Sequence, residues 1–241
     1  MTRKNAIIIG ASSGIGRELA KVFSDDGYIV GITARRLELL SEVRKELPGI
    51  SFVKRMDLAS SDEAMDILEE LIEEMGGMDI IVISAGIGFI NPDLVWEKEK
   101  STIDVNVTGF AAMANTAMKY FIEQGSGHIV GISSIAAIRG DPFAPAYGAS
   151  KAFVSNYLEA LRFKAKKMKA PVTVTNIQPG FVDTAMAQGD GLFWVAPARE
   201  AAIQIFDVIK KKREHAYITK RWGIIAWLFK LMPGWILTKL Y

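Results

Sequence analysis

Cysteine is absent from the 241 residues, and histidine occurs twice, at His128 and His215. The first absence excludes disulfides and thiolate metal sites. Two histidines far apart in sequence give no basis for a zinc centre, and no metal site is expected. Charge of one dominant sign is also missing: the net charge is +2 with both signs spread along the chain, so nucleic acid is not an expected partner. No low-complexity linker or internal break divides the sequence. Residues 1–5 run straight into an apolar segment and lack the long apolar core of a signal peptide, so a cytoplasmic protein is the expectation.

What is present is apolar and periodic. Half of the residues are hydrophobic, enough for one large α/β domain with a substantial core. Ala6-Ile7-Ile8-Ile9 is a short β-branched run suited to a strand buried on both faces. Further strands are expected at residues 28–33, 51–56, 79–83, 127–134, 172–177 and 216–219. Helical patterns lie between them, and the one reaching Met75 is stopped by Gly76-Gly77. Strands alternating with helices predict a single doubly wound, Rossmann-type parallel sheet of about seven strands with helices on both faces. Ligands on such sheets sit beyond the carboxyl ends of the strands.

The motifs fall at those ends. Gly10-Ala11-Ser12-Ser13-Gly14-Ile15-Gly16 follows the first strand and opens a helix. Glycines there let a backbone approach a pyrophosphate, and a helix N-terminus offers amides and partial positive charge. The spacing is G-x-x-x-G-x-G, and a tight turn without a ligand is the alternative. At the end of the second strand stand Arg35 and Arg36, where NAD would favour an acid. Two guanidinium groups suit a 2′-phosphate, which predicts NADP(H) over NAD(H); two solvated arginines are the alternative. Asp57, closing the third strand, is placed to accept from an adenine amine or to cap the next helix, for which Ser60 or Ser61 is better placed. A long helical stretch from Trp96 to Gln124 contains Asn106 and Gly109, both unfavourable inside a helix. A local rule broken there marks a candidate site. His128 is expected to be an ordinary polar residue at a strand start.

Tyr147-Gly148-Ala149-Ser150-Lys151 puts a phenol and an ammonium one helical turn apart. An ammonium beside a phenol lowers its pKa, so the pair forms a candidate acid/base unit. A surface pair on an amphipathic helix is the alternative for these five residues alone.

With Gly10, Gly14, Gly16, Asp57, Asn106, Ser134, Tyr147, Lys151, Pro179-Gly180 and Thr184 in order, the chain resembles the short-chain dehydrogenase/reductase family over about residues 5–220. The resemblance implies that Tyr147 exchanges the substrate proton. It implies that Lys151 lowers the tyrosine's pKa and holds the nicotinamide ribose, and that Ser134 orients the carbonyl. Asn106 would hold a water in a proton relay. Val182 and Thr184 would meet the carboxamide, and Ser13 and Arg35 the 2′-phosphate with Arg36 beside it. Ser12, Ile15, Leu58, Ala85, Gly86, Pro179 and Gly180 complete the implied cofactor contacts. Ile9, Ser84 and Gly131 depart from the family pattern at supporting positions.

The expected activity is hydride transfer between NADP(H) and a ketone, aldehyde or secondary alcohol. Rivals are an epimerase or dehydratase of the same fold, or a cofactor-binding sensor without turnover. Residues 185–197, with Met186, Leu192, Phe193, Trp194 and Val195, form the expected substrate loop; they suit an apolar substrate or packing within the protein. A homodimer or homotetramer is expected through the helices around Asn106 and after Tyr147. Residues 1–220 are read as the oxidoreductase domain and 221–241 as an apolar, basic helical tail. That tail holds Trp222, Trp227 and Trp235 of the five tryptophans, and with the preceding Lys220 it carries four cations and no acid. Two short helices joined at Pro233-Gly234 are expected, packed on the domain, at a subunit interface or at a membrane surface.

Overall fold

The computed structural model describes residues 3–186 and 193–240. Seven strands are β1 (Asn5–Ile9), β2 (Ile29–Ala34), β3 (Ser51–Arg55), β4 (Ile80–Ile83), β5 (Gly127–Ile132), β6 (Val172–Pro179) and β7 (His215–Ile218). They form one sheet, all parallel, in the order β3-β2-β1-β4-β5-β6-β7. The helices are α1 (Gly14–Asp25), α2 (Leu37–Glu46), α3 (Ser61–Met75), α4 (Trp96–Ile103), α5 (Phe110–Gln124), α6 (Pro145–Met168), α7 (Ala198–Lys210), α8 (Trp222–Leu231) and α9 (Gly234–Leu240).

The unbroken apolar runs of the central strands follow from burial on both faces. Ala6 and Ile8 share one core with Leu19, Phe23, Leu40 and Ile205 from α1, α2 and α7. Ile7 and Ile9 point the other way, into a core with Leu68, Phe110, Val154 and Leu158 from α3, α5 and α6. Residues 80 and 82 against 81 and 83 repeat this period of two in β4.

Most expected elements are present, and the differences have local causes. β6 continues to Pro179 instead of stopping at Ile177, because β7 pairs with Gln178 and Pro179. α7 ends at Lys210 instead of Arg213: Lys212 takes a left-handed φ of 50° and Arg213 N–H turns back to the Val208 carbonyl, 3.2 Å away. The stretch from Trp96 to Gln124 is helical throughout but divides into α4, a π-helical turn at Asp104–Gly109, and α5. π turns of this kind widen a helix locally and recur at functional sites. Gly109 is needed there, since a Cβ would stand 2.4 Å from the Leu58 carbonyl oxygen. Two departures from the family pattern are absorbed by packing. Ile9 lies in the core, and Gly131 admits Leu158 and Phe110, whose side chains a Cβ would meet at 2.5 and 2.8 Å.

Beyond the last strand residues the ladder continues by one step. Gly10 N–H donates to Thr33 O (2.8 Å), Ser84 N–H to Ile9 O (2.9 Å), Ser133 N–H to Ile177 O (2.8 Å) and Gly180 N–H to Ile218 O (2.6 Å). The loops leaving the strands are thereby fixed at one edge of the sheet.

His128 sits in β5 and is 5% exposed. Thr175 Oγ1 donates to Arg213 O at 2.6 Å, so at 2.7 Å it accepts from His128 Nε2–H. Burial, assisted by the Lys212 cation, holds the imidazole pKa down to about 4. The unfolded chain takes up this proton near pH 6.5 and the folded one only near 4. Stability from this group is therefore complete above 6.5 and lost as pH falls, by about 3 kcal/mol. Urea unfolding of wild type and His128→Asn between pH 7 and 4.5 should show a smaller pH-driven loss in the variant. Equal slopes would refute the assignment.

Candidate active site

A cleft of about 680 Å³ opens at the carboxyl edge of the sheet. Every residue expected at the cofactor site lines it, from Gly10 and Ser12 to Gly16, through Arg35, Arg36, Asp57, Leu58, Ala85 and Gly86, to Pro179, Gly180, Val182 and Thr184. Gly10 (φ 89°) and Gly14 (φ 56°) adopt left-handed conformations that L side chains rarely take. A Cβ on Gly10 would lie 2.5 Å from Ala85 N, and one on Gly16 would lie 2.2 Å from Gly10 O. The N-cap of α1, Ser13, makes no side-chain hydrogen bond to the helix, so its first-turn amides keep their donor capacity. Arg36 touches this loop, its Nη2 donating to Ser12 Oγ at 3.3 Å. Asp57 Oδ1 accepts from Ala59 N–H at 3.1 Å, while Ser60 is the N-cap of α3.

Tyr147 and Lys151 stand on the first turns of α6, and Ser134 just past β5. The Ser134 hydroxyl stands close enough to the Tyr147 phenol to act on its pKa. Burial pushes the Tyr147 phenol up, and Ser134 opposes that rise. Lys151, expected to lower the phenol, stands 5.8 Å from the ring centroid and donates to the Ile132 carbonyl at 3.1 Å. The resolved counterweight is thus Ser134. Lys151 itself is 5% exposed, and burial brings its pKa down to about 8. Gly88 has no place among the expected site residues, yet a Cβ there would meet the Tyr147 ring at 2.5 Å. Only the bare backbone fits against the phenol.

Asn106 lies behind the cleft wall, 2% exposed, on the π turn. Its Oδ1 accepts from Ile87 N–H (2.9 Å), and its Nδ2 donates to Ile87 O (2.7 Å) and Ser150 Oγ (3.0 Å). Ser150 in turn donates to Tyr147 O at 2.7 Å. The amide ties the exit of β4 to α6, and both its N–H groups are committed. Ser133 faces away from Ser134: its hydroxyl donates to Lys151 O (2.7 Å) and meets Ser155 Oγ (2.8 Å), which also accepts from Gln178 Nε2 (3.0 Å). A serine pair at a strand end was the one available signal for Ser133; nothing local marks Ser155 or Gln178.

The substrate side is built by the chain after β6. A bridge between Val182 and Ala196 closes the base of the expected loop. Met186, Phe193, Trp194 and Val195 are exposed, whereas Leu192 lies outside the described residues. Phe181, Phe193 and Trp194 gather around Trp222 of α8, with ring centroids 5.2, 5.1 and 6.1 Å away. Trp222 is 2% exposed and packs on Gly180, where a Cβ would meet the indole at 2.0 Å. At the other end of α8, Arg139 donates to the carbonyls of Phe229 (2.7 Å), Lys230 and Met232 (both 2.9 Å).

A family model described as short chain dehydrogenase matches residues 4–191. An uncharacterized oxidoreductase of Myxococcus xanthus (strain DK1622) is 37% identical over 191 residues, 77% of this chain and 75% of its own. Dehydrogenase/reductase SDR family member 7B of Mus musculus is 30% identical over 240 residues, 90% of this chain and 74% of its own. Among solved structures, a short chain dehydrogenase from Bacillus anthracis has a TM-score of 0.79 at 26% identity, covering 89% of this chain and 93% of that one. A short-chain dehydrogenase from Sphingobium yanoikuyae in complex with NADPH shares the fold, with a TM-score of 0.80 at 21% identity over 96% of this chain and 97% of that one. The family match spans the whole stretch that lines the cleft, Ile9 to Met186, and the chain belongs to the short-chain dehydrogenases.

Proposed function

We propose that the protein is an NADP(H)-dependent oxidoreductase acting on a ketone, an aldehyde or a secondary alcohol. The observation that carries this is the grouping of Tyr147, Ser134 and Lys151 in the same cleft as the glycine cradle, with the Lys151 ammonium 5.8 Å from the Tyr147 ring. The cradle fits a dinucleotide: at Gly10 and Gly16 a side chain would collide with backbone, and the α1 amides have no side-chain cap. Ser12 to Gly16 would hold the pyrophosphate, Asp57 and Leu58 the adenine, and Arg35 and Arg36 a 2′-phosphate. Val182 and Thr184 would meet the carboxamide, and Lys151 the ribose. Bound there, the nicotinamide supplies or takes up the hydride.

The protein's own groups handle the proton. A carbonyl oxygen placed between Ser134 Oγ and Tyr147 Oη would accept from both. Burial keeps the phenol protonated at neutral pH, so Tyr147 is ready to donate as the oxygen gains charge. The phenolate left behind is stabilised by Lys151, whose pKa of about 8 keeps the ammonium dominant at pH 7. In the reverse direction Tyr147 accepts the alcohol proton. Asn106 holds α6 against the β4 exit and so fixes where Tyr147 points. Residues 1–220 form the proposed catalytic unit and 221–241 an appended element. The substrate end, walled by Phe181 and Met186, suits an apolar molecule. Among the described residues no helix is long and apolar enough to cross a membrane, and a cytoplasmic location is proposed.

Tyr147→Phe should retain the fold and NADPH binding while losing turnover by at least two orders of magnitude. Lys151→Ala should lose both turnover and cofactor affinity. A Phe variant reducing carbonyls within a few-fold of wild type would refute the mechanism.

Fluorescence titration should show tighter binding of NADPH than NADH. Arg35→Ala and Arg36→Ala should each narrow that gap by roughly tenfold, from the loss of a charge-assisted phosphate contact of about 1.5–3 kcal/mol. A wild type that prefers NADH would overturn the cofactor assignment.

A two-fold assembly through α5 and α6 is proposed as well, since Phe163 and Met168 on α6 are exposed. Light scattering should give a dimer or tetramer at micromolar concentration, and a monomer there would exclude it.

A further inference from the structure

α8 is apolar on two opposite faces. Trp222 and Ala226 are buried against the protein, one turn apart. On the outer side Ile224, Trp227, Leu228 and Leu231 recur at helical spacing and are 63, 61, 45 and 63% exposed. A helix apolar all round belongs in a core or in lipid; this one has a covered half and a bare half. Trp194 and Val195 are exposed beside its first turn, where Arg221 Nη2 donates to Trp194 O at 3.0 Å. Lys220, Arg221 and Lys230 flank the stripe and are exposed, and no acid occurs from His215 to Tyr241.

We infer that the outer face of α8 docks on an anionic lipid bilayer, lying in the interface beside the mouth of the cleft. The charge pattern selects this occupant. A second copy meeting the same face across a two-fold axis would set cations against cations with no acid to pair them. Anionic headgroups meet the same cations favourably, while Trp227 suits the boundary level and Lys230 extends to the surface. At ten residues α8 is too short to span.

The position has a consequence for substrate entry. Trp222 fastens the start of α8 to Gly180, in the wall that follows β6, and Arg139 fastens its end to the loop that follows Ser134. The docking helix is thus tied to both walls of the cleft, and an apolar substrate dissolved in lipid lies next to its entrance.

The test needs no turnover, so its failure is distinct from failure of the proposed reaction. Full-length protein is sedimented with vesicles of phosphatidylcholine and phosphatidylglycerol, and with phosphatidylcholine alone. Binding to the anionic vesicles, weakened by salt, and a blue shift of tryptophan emission are expected, the shift being reduced in Trp227→Phe. Lys220→Ala/Lys230→Ala should lower partitioning roughly 30-fold. Ile224→Asp/Leu231→Asp should abolish it with unfolding midpoint and NADPH affinity retained. If that variant fails to fold, Trp227→Phe and the lysine pair decide. Wild type that ignores anionic vesicles overturns the inference. So does an outer-face variant that loses oligomeric mass instead of vesicle binding, since the face would then join two copies.

Discussion

A parallel sheet buried on both faces leaves its chemistry only one place to go. The strands must be apolar along their length, and their polar groups are satisfied by the ladder. Side chains that need a ligand or a proton are therefore displaced to the carboxyl edge, where register brings them level. Ile9 pairs with Ile83, Ile83 with Gly131, and Ile132 with Ile177. Just past the strand ends, Gly10, Ser84, Ser133 and Gly180 begin four of the loops that line the cleft. The glycine cradle and the acid/base residues are separated by more than a hundred residues in sequence and joined by the register of the central strands.

Holding a cation and a phenol at that edge requires irregularity, and the irregularities are concentrated there. Lys151 is buried at a real cost to its charged form, which the drop of its pKa to about 8 records. The Ile132 carbonyl, freed at the strand end, is its direct hydrogen-bond acceptor. Asn106 sits in a π turn that a regular helix would not contain, and its amide is completed by a strand exit and by Ser150. Gly88 and Gly109 each stand where a methyl group would collide with Tyr147 or Leu58. Each feature is locally unfavourable; together they fix α6 against β4 and β5 with Tyr147 in the cleft beside Ser134.

The sequence made the fold legible because its signals are local: unbroken apolar runs in β1 and β4, glycines after Ile9 and Met75, and a glycine-rich turn opening α1. The acid/base residues were legible for a second reason, their order along the chain matching a family. Contacts between distant segments were not readable. Gly88 is one glycine among 21 until the Tyr147 ring is set against it. Arg139 has no partner in sequence, since its acceptors are carbonyls about ninety residues away. The contact of Lys151 with the Ile132 carbonyl was unreadable for a related reason. Spacing of four on a helix says that two side chains share a face, but Lys151 is long enough to reach past Tyr147 to the end of β5.

The aromatic residues of the substrate loop posed a choice between lining a pocket and packing within the protein, and the structure combines the two. Phe193 and Trp194 pack on Trp222, yet they remain 47 and 42% exposed. Phe181 lines the cleft and also touches Trp222. One indole thus connects the inner wall of the cleft, the loop after β6 and the inner face of α8. Trp222 fills the space above Gly180 and so packs the start of α8 on the β6 exit that leads to Val182 and Thr184. The inner face of α8 therefore rests on the same wall that would hold a nicotinamide.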